Sequence, residues 1–262
     1  MKRLNEETLP LAPAGVRRPG YDRAATRIGF AHIGVGAFHR CHQAEYTEDA
    51  LEAGADDRAE IAINIRPPSI EAQLGSQDGH YTRLLVEGDK AEARVIGSIR
   101  RVLDADQDPE KAVATLADPG IDVITMTVTE KGYCHIPASG ALDWERPEIS
   151  DDLKRVSDRR SLPGLLADML ARRMASNAPV TLISCDNIPG NGHILRNVVT
   201  SFADAADRPL AAWISDNVRF PSTMVDRIVP ATRPEDLKRV EEITGLRDEG
   251  AVVGEPFRQW VI

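Results

Sequence analysis

The chain has 262 residues, of which 42% are hydrophobic and 28% charged, and its formal net charge is -9 at pH 7. This acidic balance excludes a general nucleic-acid binder, which needs a basic face to neutralise phosphates. No apolar run reaches the roughly 18 residues of a membrane span, and acidic residues and prolines stand where a signal peptide needs its apolar core. We therefore expect a cytoplasmic protein without membrane or nucleic-acid partners.

The cysteines, Cys41, Cys134 and Cys185, are far apart in the sequence. Their odd number and the lack of a C-x-x-C pair are typical of a reducing compartment. Cys41 stands beside His39 and His42, but adjacent side chains on a helix do not share a face and cannot easily converge on one ion. We expect no metal site.

Alternating strands and helices predict the architecture. Residues 1–26 are rich in Pro, Gly and charge and predict an arm on the surface, followed by one domain over 27–262. The predicted strands cover 27–33, 60–65, 121–129 and 180–187, and the predicted helices cover 37–51, 109–117, 162–174, 193–206, 210–218 and 234–245. Residues 81–88 and 92–103, joined by Asp89 and Lys90, alternate as a β-hairpin does. The sequence predicts a doubly wound, mostly parallel α/β sheet of the Rossmann type with an inserted β-hairpin.

The stretch RIGFAHIGVGAFHR, residues 27–40, predicts a strand, a tight turn at Gly34 and Gly36, and a helix start. This arrangement is how a backbone holds a pyrophosphate. The usual G-x-G-x-x-G pattern wants glycine at 39, where this chain has His39. Alone, the turn is weak evidence for a dinucleotide site.

Polar residues follow the apolar strands at several points, and ligands of an open parallel sheet bind beyond the carboxyl ends of its strands. These points are Gly34–Arg40, then Thr127, Thr129, Glu130 and Lys131, then Asp186 and Asn187, and finally Val225, Asp226 and Arg227. Asn187 can donate to a developing alkoxide, and Asp226 could orient a lysine or a water. Together these residues favour hydride transfer to or from a sugar carbon.

Longer strings carry a resemblance to a known family. They are GVGAFHRCHQAEY at 34–46, TVTEKGYC at 127–134, SCDNIPGNGH at 184–193, FPSTMVDRIVPA at 220–231 and EPFRQWVI at 255–262. In this order they resemble the polyol-specific long-chain dehydrogenases, the family of mannitol 2-dehydrogenase and fructuronate reductase. TEKGYC and EPFRQWVI are more similar to the fructuronate reductase branch.

The resemblance implies a zinc-independent, NAD(P)-dependent oxidoreductase that interconverts a ketose or ketohexuronate and its alcohol. Phe38 then stands where this family also departs from the third-glycine pattern. Asn187 matches the family asparagine that helps polarise the substrate oxygen, and Asp226 matches the acid near the nicotinamide and the catalytic lysine. The expected cofactor contacts are Gly34, Gly36, Ala37, Phe38, Arg40, Arg66, Thr127, Thr129, Glu130, Asn187 and Val225.

The choice between NAD and NADP depends on the end of the second strand. An acidic residue there would bind the ribose 2′-hydroxyl of NAD, but this chain has Asn64 and then Arg66. Arg66 could receive a 2′-phosphate or could be a solvated loop arginine. Because the branch resembled mostly uses NAD, we expect NAD and leave NADP open.

In the family, the general acid/base lysine lies in a K-x-x-x-x-N-x-x-H run on a helix of a mostly helical C-terminal domain, and no residue of this chain matches it. We therefore expect a cofactor-binding half, either a shortened form of a longer protein or one completed by a separate chain. Phe257, Trp260, Val261 and Ile262 predict an apolar patch that meets a second domain or chain. The isolated chain is expected to bind NAD(H) weakly or moderately and to turn over no polyol.

One alternative function stays open: a non-catalytic NAD(H)-binding module that acts through a partner chain. A reading frame that continues into a K-x-x-x-x-N-x-x-H helix would exclude it. A methyltransferase on a similar sheet is disfavoured, because the TEKGY and MVDR strings have no role in one.

Overall fold

The computed structural model describes residues 1–155 and 157–262, which divide into two compact units. The first unit comprises Met1–Gly29, Val35–Leu103 and Asp226–Gln259. The second unit comprises Phe30–Gly34, Asp104–Val225 and Trp260–Ile262. Among the described residues, no helix is long and apolar enough to cross a lipid bilayer.

The chain contains both strands and helices. The strands are β1 (Arg27–Ile33), β2 (Arg58–Asn64), β3 (Tyr81–Glu87), β4 (Lys90–Ile96), β5 (Ile99–Asp104), β6 (Val123–Met126), β7 (Val180–Ser184), β8 (Val218–Arg219), β9 (Met224–Asp226), β10 (Val252–Gly254) and β11 (Gln259–Val261). The helices are α1 (Ala37–Cys41), α2 (Gln43–Glu52), α3 (Ile70–Leu74), α4 (Pro109–Leu116), α5 (Pro147–Leu153), α6 (Leu162–Ser176), α7 (Asn191–Ala206), α8 (Arg208–Asn217) and α9 (Pro234–Thr244).

The main sheet has the strand order β5-β2-β1-β6-β7-β8, which confirms the predicted Rossmann-type α/β fold. β6 pairs in parallel with β1 and with β7, so that Met126 lies opposite Ile33 on one side and Ser184 on the other. Ile124 and Leu182 on β6 and β7 are fully buried, because a parallel sheet is covered by helices on both faces. The carboxyl ends of β1, β6 and β7 are therefore level.

The predicted β-hairpin is present in the first unit, where β3 and β4 pair antiparallel and β10 adds in parallel beside β3. The run 92–103 does not continue as one strand, however. It divides between β4 and β5 at Gly97, whose amide donates to Glu48 Oε2 and whose carbonyl accepts from Arg23. These tertiary hydrogen bonds take the backbone out of the hairpin ladder, and β5 joins the main sheet instead.

The helix expected over 37–51 is interrupted at His42, which has a φ of -131° and a ψ of -86°. His42 Nε2 lies 2.8 Å from the carbonyl oxygen of Gln259. A contact with a residue so distant in sequence leaves no local signal, so the break could not be read from helical periodicity.

Two further stretches are more buried than their composition suggests. Within 132–163, a polar stretch with several glycines and prolines, Tyr133 and Ile149 are fully buried. Within the predicted arm, Leu4 and Val16 pack in a buried cluster of the first unit with Leu84. The proposed domain boundary at residue 26 stays a prediction.

Candidate functional site

The turn after β1 is held closed by Thr127, which follows β6. The Thr127 hydroxyl donates a hydrogen bond of 2.8 Å to the carbonyl oxygen of Gly34, and the Thr127 amide donates one of 2.9 Å to that of Ile33. Gly34 has a φ of +98°, and a Cβ atom there would lie 2.0 Å from the Thr127 carbonyl oxygen. Only glycine fits, because the conformation is left-handed and another backbone fills the side-chain space.

A fully buried histidine, His32, lies behind this turn. Its Nε2 is 2.9 Å from Thr127 Oγ1, and its Nδ1 is 2.7 Å from Thr125 Oγ1. Because Thr127 gives its hydroxyl proton to Gly34, it accepts from His32, which places the imidazole proton on Nε2. His32 thus orients the hydroxyl that closes the turn. Sequence reasoning missed it; the available signal was a polar residue inside an apolar strand.

A carboxylate from the end of β7 holds the backbone after Thr127. Asp186 Oδ2 accepts from the amide of Val128 at 2.9 Å, and Oδ1 accepts from the amide of Thr129 at 3.0 Å. Thr129 has a φ of +64°, which β-branched residues rarely adopt. The carboxylate therefore fixes a strained backbone at the carboxyl end of β6.

Tyr133 also binds the carboxylate of Asp186. Its hydroxyl donates to Asp186 Oδ2 at 2.7 Å and lies 2.5 Å from Ser184 Oγ. Burial raises the pKa of Asp186 above its ordinary value, while the hydrogen bonds from Tyr133 and the two amides oppose that rise. Burial also raises the pKa of Tyr133 well above its usual range, so the phenol keeps its proton and remains a donor. We call Asp186, Tyr133 and the amides of Val128 and Thr129 the Asp186 cluster.

Asn187 is exposed directly after Asp186, and the buried Asn191 fixes the chain around it. Asn191 Nδ2 donates to the carbonyl oxygen of Asp186 at 3.0 Å, and Asn191 Oδ1 accepts from the amide of Thr223 at 2.9 Å. The side chain of Asn191 therefore joins the end of β7 to the segment that leads to the buried Val225. Asn191 is a second residue that sequence reasoning missed, although it lies within the SCDNIPGNGH string.

The second unit thus brings Gly34, Thr127, Thr129 and Asn187 to the level carboxyl ends of β1, β6 and β7. Thr129 and its neighbour Glu130 are exposed, and Thr127 is half-buried. This edge offers polar groups and the glycine turn to a ligand.

In the first unit, Gly36 is exposed and precedes α1. Among the residues that the structure describes, and apart from the two chain neighbours of Gly36, no heavy atom lies within 4 Å of the place that a Cβ would take there, so the space beside Gly36 is open. Ala37 and Phe38 are half-buried, and the Phe38 ring stacks on His42 with the ring centroids 4.9 Å apart.

His39 explains the missing third glycine of the fingerprint. It is fully buried in the first unit, and its Nε2 lies 2.6 Å from Glu60 Oε1 on β2. Burial lowers the pKa of His39 well below its ordinary value, so the imidazole is neutral. In the usual fingerprint, the third glycine lets the helix pack closely against the sheet. Here the side chain of His39 occupies the space between α1 and β2 instead.

Arg40 lies with its charge inside the first unit. Its Nη1 donates to the carbonyl oxygen of Gly250 at 2.8 Å, and its guanidinium carbon lies 5.8 Å from the Tyr81 ring centroid. These contacts assign Arg40 to the packing beneath α1, and its role as a cofactor contact stays a prediction.

The end of β2 has no acidic residue at the position typical of NAD sites. Asn64 Nδ2 donates to the carbonyl oxygens of Arg66 at 2.6 Å and Pro68 at 2.9 Å. These bonds fold the chain into a turn that leaves Arg66 exposed. A cation is therefore accessible where a 2′-phosphate or a 2′-hydroxyl would be recognised.

Asp226 is exposed, and the next residue anchors it. Arg227 is buried, and it donates to Glu45 Oε2, to the carbonyl oxygen of Cys41, and to that of Glu255 at 2.8 Å. The same Glu45 carboxylate lies 2.8 Å from Arg83. The MVDR string therefore presents Asp226 to solvent on a backbone that Arg227 ties to α1 and α2.

The model of the mannitol dehydrogenase Rossmann domain matches residues 28–262. The chain belongs to the mannitol dehydrogenase family. Mannitol 2-dehydrogenase of Cereibacter sphaeroides is 41% identical over 251 residues, which are 94% of this chain and 52% of that protein. D-mannonate oxidoreductase of Escherichia coli strain K12 is 39% identical over 267 residues, covering 100% of this chain and 54% of that protein.

Among solved structures, the chain is similar to Pseudomonas fluorescens mannitol 2-dehydrogenase, described as a ternary complex with NAD and D-mannitol. The TM-score is 0.94 at 36% identity, covering 98% of this chain and 54% of the other. The chain spans about half the length of the curated relatives it matches. The family inferred from the sequence strings, and the fold inferred from the alternation of predicted strands and helices, are thus confirmed.

Proposed function

We propose that this member of the mannitol dehydrogenase family is the NAD-binding part of an oxidoreductase. The reaction is hydride transfer between a nicotinamide cofactor and a polyol or hexuronate alcohol and its keto form. One observation carries the proposal: the Gly34 carbonyl and the Thr127 hydroxyl close a left-handed glycine turn, and the exposed Gly36 follows it with open space beside it.

In this proposal Gly34 and Gly36 receive the pyrophosphate, because backbone without side chains lets phosphate oxygens approach the amides. Thr129 and Glu130 line the exposed strand end. The remaining proposed cofactor contacts are Ala37, Phe38, Arg40, Arg66, Thr127, Asn187 and Val225. Bound NAD supplies the hydride acceptor, and the residues of the chain hold and orient it.

For the chemical step we assign Asn187 and Asp226. Asn187 donates a hydrogen bond to the substrate oxygen, which stabilises its negative charge in the alkoxide that forms when the alcohol loses its proton or the keto group gains hydride. Asp226 orients the proton-transferring lysine or water. Both side chains are exposed, which a group that meets substrate requires.

The finer parts of the proposal rest on sequence strings. TEKGYC and EPFRQWVI favour a ketohexuronate of the fructuronate type over mannitol. NAD is preferred to NADP, and zinc takes no part. The exposed Phe257, Val261 and Ile262 are proposed to meet a second domain or chain, and the free cysteines suit a cytoplasmic location.

The test is a titration of the 262-residue protein with NADH and NADPH, followed by nucleotide fluorescence and by calorimetry. We expect saturable binding of NADH that is tighter than binding of NADPH. We expect no turnover of mannitol, fructose or fructuronate, because the chain has no match to the family's lysine run. Failure to bind either nucleotide would refute the proposal, and turnover by the pure protein would refute the assignment as a cofactor-binding part alone.

A further inference from the structure

We propose that Asp186 is a positioning residue of the cofactor site, whose carboxylate sets the backbone of Val128 and Thr129 to receive the dinucleotide. The inference rests on the proposed function. The inference goes beyond that function because Asp186 is not one of the proposed cofactor contacts. Asp186 acts on the cofactor only through the backbone of Val128 and Thr129.

The first support is the geometry of the Asp186 cluster. The two oxygens of one carboxylate each take a separate backbone amide, Val128 at 2.9 Å and Thr129 at 3.0 Å. A carboxylate that accepts from both amides fixes the position and the direction of these two N–H groups. Both amides follow Thr127 directly in the chain, and the Thr127 hydroxyl closes the Gly34 turn.

The second support is the strain that the clamp maintains. Thr129 has a φ of +64°, a conformation that persists in a β-branched residue only when surrounding contacts hold it. The exposed Thr129 is one of the proposed cofactor contacts. Strain at a ligand-facing residue, held by a group behind it, is typical of preorganised binding sites.

The third support is that the acceptor at position 186 is a carboxylate, which carries a charge. Burial raises the pKa of Asp186, so holding its ionised form opposes folding. A neutral acceptor would satisfy an amide without that penalty. Ionised carboxylates accept stronger hydrogen bonds than neutral groups do, and Tyr133 supplies a further donor. An ionised carboxylate at this position therefore holds the backbone amides more firmly than a neutral acceptor would, and it lowers the folding stability.

Asp186 also connects the two sides of the proposed reaction centre. Asn187 follows it directly, so a carboxylate fixed on Val128 and Thr129 also limits where Asn187 can lie. The main-chain carbonyl oxygen of Asp186 accepts a hydrogen bond of 3.0 Å from Asn191 Nδ2. The proposed cofactor loop and the proposed substrate-polarising amide thus share one anchor.

The second unit offers a matched control for a purely structural role. Asp152 is buried, and its carboxylate accepts from the amides of Arg160 and Ser161 at 3.0 Å and 2.7 Å and from the Ser161 hydroxyl at 2.6 Å. Like Asp186, it takes two backbone amides and one hydroxyl. Its carboxylate holds Ser161, the N-cap residue of α6, and α6 carries none of the proposed contacts.

The experiment compares D186N, Y133F and D152N with the unchanged 262-residue protein. NADH affinity is measured by fluorescence titration, melting temperature by calorimetry, and the Thr129 amide by its ¹H–¹⁵N resonance. We expect D186N to weaken NADH binding by about tenfold, to move the Thr129 resonance upfield, and to exceed the loss in Y133F. D152N should lower the melting temperature without changing either NADH affinity or the Thr129 resonance.

Y133F keeps the ring and removes only the hydroxyl, so it tests the same clamp if D186N does not fold. An unchanged NADH affinity in both D186N and Y133F would overturn the positioning role, as would an equal loss in D152N. If the unchanged protein binds no NADH, the proposed function itself fails. The two failures are therefore distinguishable.

Discussion

The carbonyl oxygen of Thr127 lies 2.0 Å from the position that a Cβ atom would take at Gly34. Alanine at this site must displace the strand end after β6 and adopt a left-handed backbone. We expect G34A to lower the free energy of unfolding by more than about 2 kcal/mol and to abolish NADH binding. Chemical denaturation and fluorescence titration measure the two effects.

Gly36 should respond differently to the same substitution. Its φ of -76° suits any residue, and its Cβ position is open, so G36A should fold with unchanged stability. The added methyl group lies where we place the pyrophosphate, so NADH affinity should fall by about tenfold. G15A, also in open space, is the control and should change neither quantity. If G36A binds NADH like the unchanged protein, the pyrophosphate is not held at this turn.

The Thr127 hydroxyl links His32 to the Gly34 carbonyl. T127V removes both hydrogen bonds while keeping the shape, and should lower the free energy of unfolding by about 1–3 kcal/mol. NADH affinity should fall as the turn loosens. T127S retains the hydroxyl and should restore both properties. Equal behaviour of T127V and T127S would mean that the hydroxyl does not hold the turn.

If Arg66 contacts the ribose, it sets the preference of the protein for NADH or NADPH. R66A removes an exposed cation, so NADPH affinity should fall by about tenfold while NADH affinity changes little. R66E should favour NADH further by supplying a carboxylate for the 2′-hydroxyl. R101A removes another exposed arginine and serves as the control. A ratio of NADH to NADPH affinity that is the same in R66A, R66E and R101A would assign Arg66 to the solvent.

The sequence predicted those parts of the fold that local patterns encode. The glycine turn, the apolar strands β6 and β7 and the polar residues that follow them were all visible as a change of residue type along the chain. The break at His42 and the separation of β4 from β5 at Gly97 were not, because each depends on a partner far away in sequence, Gln259 for one and Arg23 and Glu48 for the other.

The candidate site shows the same limit. Asn187 and Thr127 could be named because polar residues at strand ends are conspicuous. His32 and Tyr133 were missed, because each is fully buried and acts by orienting another group, although a polar residue inside the apolar strand β1 was a signal for His32. The burial of Arg40 also had no sequence signal, since its partner is a backbone carbonyl of Gly250.

Glu48 should make stability depend on pH. Burial raises its pKa to about 7, with the Gly97 amide, Tyr21 and Arg94 opposing the rise and Glu52 adding to it. Because the folded pKa exceeds the unfolded one, the folded state binds more protons between these values, and stability falls as pH rises through that window. E48Q carries no titrating proton and should lose this dependence.

The measurement is the difference in free energy of unfolding between E48Q and the unchanged protein, followed from about pH 5 to about pH 8. The difference should shift in favour of E48Q as pH rises, by up to about 3 kcal/mol. A difference that is constant with pH would show that Glu48 titrates normally.

The buried pair of Arg227 and Glu45 should contribute far more than the more exposed pair of Arg17 and Glu52, whose carboxylate lies on the same helix, α2. R227M leaves Glu45 buried and removes three hydrogen bonds, so the free energy of unfolding should fall by about 3–5 kcal/mol. Arg17 pairs with Glu52 at 3.0 Å with 54% of its side chain exposed, and R17M should cost less than about 1 kcal/mol.

R227K separates charge from geometry. A lysine keeps the charge but cannot direct hydrogen bonds to Glu45 and to the carbonyls of Cys41 and Glu255 at once, because only a guanidinium spreads its donors in a plane. R227K should therefore be nearly as unstable as R227M, and its NADH affinity should fall because Asp226 and α1 lose their shared anchor. Full recovery in R227K would show that Arg227 acts through its charge alone and that the backbone carbonyls contribute nothing to holding Asp226.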